Sequence, residues 1–163
     1  NGTNGTNGTN GATGATGPTG QAGSAGSFNS AANIQTGPTG AVGQSEIMFG
    51  YGKNCSLTPI GSGNVLIIMT CAIQEITSLS VVTVKGRYGT GTAPATGASV
   101  SGTQFGQAQI VDAFVTSDPI QVVILGKITG LSLSTAYWFD LSAIKATSGT
   151  ASGNNMQFFA LEI

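Results

Sequence analysis

The sequence predicts an all-β protein in two parts, a rod followed by a two-sheet sandwich or jelly roll, and two patterns carry that expectation. Glycine returns at every third position through the first 26 residues, and from Glu46 onward short β-branched and aromatic runs alternate with clusters of Gly, Ser, Thr and Asn. No segment shows the 3.6-residue apolar stripe of an amphipathic helix.

The rod comes first. Gly2, Gly5, Gly8, Gly11, Gly14, Gly17, Gly20, Gly23 and Gly26 keep an unbroken period of three. Three polyproline-II chains wound together bring every third residue to a crowded axis where only a hydrogen side chain fits. The period therefore predicts a collagen-like triple-helical stalk over residues 1–28, and with it a homotrimer. At about 3.1 Å per residue the stalk is roughly 80 Å long. Pro18 is the only proline in this run, against roughly 15–20% in collagen compositions, so the rod is expected to be marginal alone. After Gly26 the period slips by one residue and resumes at Gly37, Gly40 and Gly43. Residues 29–45 thus read as an interruption and a short second Gly-X-Y segment whose glycines also belong to the stalk axis. Phe28 and Ile34 are the large apolar groups there that can pack between chains. The competing readings are a disordered Gly-rich linker, which has no reason to hold a period, and glycine-rich helices of polyglycine-II type packed side by side.

Residues 46–163 carry the apolar content and form the predicted head. Its expected strands are Ile47–Tyr51, Asn64–Ile73, Leu79–Tyr88, Gln109–Val115, Ile120–Ile128, Ala136–Ile144 and Met156–Ile163. In the sixth, Tyr137, Phe139, Leu141 and Ala143 share one face and Trp138, Asp140, Ser142 and Ile144 the other, as period two requires. The last is apolar on both sides, with Phe159, Leu161 and Ile163 opposing Phe158 and Ala160. A strand of that kind is normally covered on both faces, which predicts an interior strand with one face on the core and the other on a threefold axis. Trp138 is assigned to the core or the same interface.

Composition narrows the function classes. Charged residues are 7% of the chain and the net charge is −1. The five cations Lys53, Lys85, Arg87, Lys127 and Lys145 are scattered, leaving no basic stripe for nucleic acid. No apolar run reaches the roughly 20 residues of a membrane span. The chain starts Asn1-Gly2-Thr3 without an initiator Met, which predicts a processed or truncated form. Cys55 and Cys71 are the two cysteines, and either a disulfide or two buried thiols satisfies them. Asn1, Asn4, Asn7 and Asn54 open N-x-[ST] sequons, for which polar solvent-facing positions are the simpler reading.

The order of parts is familiar. A collagen-like stalk, then SGNVLIIMTCAI, a β-rich body, GLSLSTAYWFDLSA and a final MQFFALEI resembles the C1q/tumour-necrosis-factor-like trimeric heads. The stretch RYGTGTAPATGASVSGT is similar to segments in the heads of phage and bacterial collagen-like surface fibres. The resemblance implies a ten-stranded jelly roll, three copies around a threefold axis, and a role in adhesion or receptor recognition.

The chemistry points the same way. Without histidine, Ser-His-Asp and Cys-His catalysis and the common zinc sites are excluded. The six carboxylates Glu46, Glu75, Asp112, Asp118, Asp140 and Glu162 are read as solitary charges in preference to a glycosidase pair. Asp112 and Asp118, six residues apart, offer a minor calcium alternative. The Gly89–Gly97 loop lacks the Lys-Ser/Thr ending of a phosphate cradle. Tyr137 and Trp138 as a sugar-stacking platform rank below a core role. The sequence therefore predicts no enzyme and no cofactor, but an extracellular, virion or cell-surface fibre. Its trimeric head would bind a glycan or protein receptor, and the alternative is a structural filament joined head to stalk.

Overall fold

The computed structural model describes residues 1–5, 29–35, 42–75, 81–112 and 118–163. Among these residues nine strands and one 3-10 turn make up the regular structure. In chain order they are β1 (Ser30–Gln35), β2 (Ile47–Met48), the 3-10 turn Tyr51–Lys53, β3 (Ser56–Leu57), β4 (Val65–Glu75) and β5 (Val81–Thr90). There follow β6 (Thr103–Asp112), β7 (Ile120–Ile128), β8 (Tyr137–Lys145) and β9 (Ala151–Glu162). One sheet runs β1-β9-β4-β7 and the other β2-β8-β5-β6, with β3 also on β8.

This order follows from rolling up one long ribbon. β2 and β3 lie end to end along β8, so they count as a single interrupted strand and the principal strands number eight. The antiparallel pairs are then first with last, second with seventh, third with sixth and fourth with fifth. Wrapping that ribbon on itself adds β4 to β9 and β5 to β8 and yields a jelly-roll-like sandwich of two antiparallel sheets. Among the described residues no helix is long and apolar enough to cross a membrane.

The alternation in the sequence sorts side chains between the sheets. Ile67, Met69 and Cys71 of β4, Val82 and Val84 of β5, and Phe139 and Leu141 of β8 turn inward with Phe158 and Ala160 of β9. Phe139 and Phe158 stack across the core at 5.5 Å, and Phe105 meets Phe139 edge-on. Glycine makes room for Phe105. A Cβ on Gly86 would come within 2.6 Å of its ring and one on Gly126 within 2.7 Å, so the ring lies in a slot that two missing side chains create.

Several expectations are revised. The interruption at 29–45 was placed outside the head, but Ser30–Gln35 lie along β9 as an edge strand. Val42, fully buried, bridges Ala151 at the start of β9, and the Gly43 carbonyl accepts the Lys145 amide. Gly43 is thus tied to the head through its backbone. Gly37 and Gly40 lie outside the described residues, as do Gly8, Gly11, Gly14, Gly17, Gly20, Gly23 and Gly26. Gly2 and Gly5 have open space around them. Cys55 and Cys71 are both free thiols in the core, and burial pushes each up to about 12, so no disulfide joins them.

Two outcomes test this packing. Gly86→Ala should lower stability by about 1–3 kcal/mol through overpacking against Phe105, read from the urea midpoint. A chain truncated at Gly43 should melt below one beginning at Asn29, since the former lacks β1 and bares the β9 edge; equal melting in calorimetry would mean β1 contributes nothing to the head.

Candidate functional site

The two outer faces of the sandwich differ in kind. On the β2-β8-β5-β6 sheet the side chains of β5 that face away from the core are Val81, Thr83, Lys85 and Arg87, and those of β8 are Trp138, Asp140, Ser142 and Ile144. Glu46 gathers three of them. Its carboxylate meets Lys85 Nζ at 3.0 Å and Arg87 Nη2 at 2.7 Å, and it accepts the Ser142 hydroxyl at 2.7 Å. Exposed Ile110 on β6 adds a further apolar side chain to this side.

The other sheet turns an apolar surface outward. Its register sets Ala32, Phe159, Ile68 and Leu125 in one row across all four strands. Ser30, Leu161, Leu66 and Lys127 form the row on one side, and Ile34, Gln157, Thr70 and Val123 the row on the other. Lys127 is the one charge among these twelve positions. Ile34 is 69% exposed, Leu125 57%, Val123 52% and Phe159 40%, whereas a core residue would be closed off. Between Ile34, Ile68 and Phe159 the surface dips into a depression of about 240 Å³, with Thr70 and Gln157 at its side. Contiguous exposed apolar surface is a common feature of interaction sites.

The sequence-derived residues divide over this geometry. β9 lies between β1 and β4, with Phe158 and Ala160 inward and Phe159 and Leu161 outward on the apolar face; Ile163 follows at the chain end, 41% exposed. Trp138 is buried, but outside the space between the sheets. Its indole donates to the Thr90 carbonyl at 3.1 Å, and Gly52, Gly89 and Gly102 close in on the ring. Tyr137 turns the opposite way, into the core beside Tyr88. The pair thus forms no stacking platform, and a shallow groove beside them is edged by Lys53, Ser56 and Thr92.

The sequence reading singled out Ile34 as a group to pack between chains, but missed its neighbour Ala32 of β1 and Val123 and Leu125 of β7. The β7 signal was present in IQVVILGKI, where Val122 and Ile124 alternate with Val123 and Leu125, an apolar residue on each side. Among the described residues no three His, Cys, Asp or Glu come together to hold a metal ion. Asp112 ends β6 and Asp118 precedes β7, both exposed, and residues 113–117 between them lie outside the described part. Glu75 closes β4, its side chain also outside that part. No protein-family model matches the chain, and no curated protein is significantly similar to it.

Glu46, Glu162 and Asp140 titrate unusually. Burial would raise Glu46, but hydrogen bonds from Ser142, Arg87 and Lys85 outweigh it and bring it down to about 2. Burial likewise works against Glu162, and four backbone amides override it to about 2. For Asp140 burial wins: the amides of Leu141, Tyr51, Gly52 and Gly50 take back only part, and the group stands at about 6. The depressed groups contribute stability that is complete above their ordinary 4.5 and lost as pH falls toward 2. Ionising Asp140 has the opposite sign: its cost is absent below the ordinary 3.8 and complete above about 6. Thermal stability should therefore peak near pH 4–5, falling by up to about 3 kcal/mol toward neutrality. Asp140→Asn should flatten that neutral limb, and a wild-type melting temperature that climbs steadily from pH 4 to 7 would contradict the assignment.

Proposed function

We propose that the chain is the subunit of a homotrimeric, non-enzymatic surface fibre. On this reading residues 1–28 form a collagen-like stalk, and the sandwich is a C1q/TNF-like head that three copies assemble through the outer face of β1-β9-β4-β7. The observation that carries it is the one-sidedness of the sandwich. One exterior carries an ion cluster around Glu46 among mixed side chains, while the other bears an uninterrupted apolar row of Ala32, Phe159, Ile68 and Leu125. Such a face gains by being covered, at roughly 25 cal/mol for each Å² of apolar surface removed from water.

The every-third glycine supports three as the copy number, because the triple helix is satisfied only between three chains. The topology supports the placement, since the chain leaving residue 28 feeds β1, whose Ala32 and Ile34 lie on this same face. Three heads on one stalk multiply weak contacts with a surface glycan or protein receptor. That is the working principle of an adhesive fibre displayed on a virion or cell surface.

Light scattering of the full chain should return three times the 16.2 kDa chain mass. In a chain beginning at Asn29, Leu125→Asp sets a charge where one copy leaves the side chain 57% exposed. Folding should persist while association weakens roughly a hundredfold or more, since an unpaired charge is costly to bury. A monomeric wild type, or a variant that assembles as before, would remove this face from the assembly.

A further inference from the structure

Glu162, the last residue of β9, is buried, yet among the described residues no Lys or Arg pairs with it. Its charge is met by backbone alone. Oε1 accepts the amides of Gly61, Ser62 and Gly63 at 2.8, 2.6 and 2.9 Å. Oε2 accepts those of Ile60 at 2.9 Å and Asn29 at 3.3 Å. Successive amides turned toward one point form an anion-binding nest. The turn needs Gly63, which has φ +67 and whose Cβ would run into the Leu131 carbonyl.

The fifth donor gives the nest its consequence. Asn29 is the residue through which the chain passes from residues 1–28 into β1. Its amide reaches Glu162 Oε2, its carbonyl accepts the Glu162 amide at 2.9 Å, and its Nδ2 donates to the Thr58 carbonyl at 2.9 Å. One carboxylate thus ties together the start of the head, the 60–63 turn and the C-terminal strand.

We propose that Glu162 is a positioning residue that fixes where, and in which direction, the chain enters the head, so that β1 is laid on β9 in register. The inference goes beyond assembly: the joint lies within one chain and holds whatever the copy number. It also explains why a carboxylate is needed. A glutamine offers one acceptor oxygen and one NH2 donor. Its oxygen would satisfy the three amides of residues 61–63, and its NH2 would then face the amides of Asn29 and Ile60, donor against donor. The loss should fall on the Asn29 side of the joint.

Hydrogen exchange of the full chain, followed by mass spectrometry, tests this. In Glu162→Gln the amides of Ser30–Gln35 should exchange about tenfold faster or more, as expected for losing a hydrogen bond to a charged group, while those of β4 and β7 keep wild-type protection. Asn29→Pro is the control for a variant that fails to fold: it leaves the other four amides on Glu162 and removes the Asn29 amide, together with the side-chain bonds to the Thr58 carbonyl and the Ser30 amide. The release of Ala31–Gln35, beyond Ser30, is therefore its readout, and it should be that segment alone. Unchanged exchange of Ala31–Gln35 in either folded variant overturns the proposal. So does a loss of protection spread evenly over every strand, which would make Glu162 a general stability residue. A monomeric mass would defeat the proposed assembly without altering this readout.

Discussion

The molecule depends on β9 being apolar on both sides while lying inside a sheet. Phe158 and Ala160 close the core against Phe139 of the facing sheet. Phe159 and Leu161, one step along the same backbone, form the centre of the outer apolar face. Because side chains alternate with period two, a slip of one residue in the β9–β4 register would exchange those sets. The Glu162 carboxylate would leave its nest at the same moment. Core, exterior face and chain-end joint are thus three readings of one register.

How far this was legible in the sequence depends on whether an element carried its own pattern. β7 was expected at Ile120–Ile128 and lies there, because its inward residues repeat strictly and loop residues bound it. β8 shows the face division that its alternation predicts. β1 was hidden because SAANIQ holds a single large apolar residue, and its strand character comes from the free edge of β9, which no local window contains. β6 begins at Thr103 instead of Gln109 because Gly106, at φ +65, sits in a register shift opposite Val84 and Gly86. A bulge breaks the alternation by which a strand is recognised. The run Ile47–Tyr51 stops as a strand at Met48, since Gly50 takes φ +80 and turns the chain into the 3-10 segment.

The candidate face was legible only in part, for a related reason. Two-sided hydrophobicity identifies a strand that is covered twice, and it singled out Phe159 and Leu161. It says nothing about neighbours in the sheet. Ala32, Ile68 and Leu125 join the same row through pairings between segments dozens of residues apart. The Glu162 nest was less visible still, because its donors are backbone amides, which every residue possesses and no residue type advertises.

The roll-up gives these local facts a common direction. Pairing the first strand with the last places the two ends of the head side by side in one sheet, and that sheet is the one with the apolar exterior. On the proposed reading, a stalk ending before Asn29 would be delivered to the border of the surface that three heads would share. Had the chain entered through the β2-β8-β5-β6 sheet, stalk and apolar face would lie on opposite sides of the sandwich, and three chains leaving a common rod would have to pass around their own heads before meeting. On the proposed reading the jelly-roll order removes that detour, and the Glu162 joint keeps the short path in register.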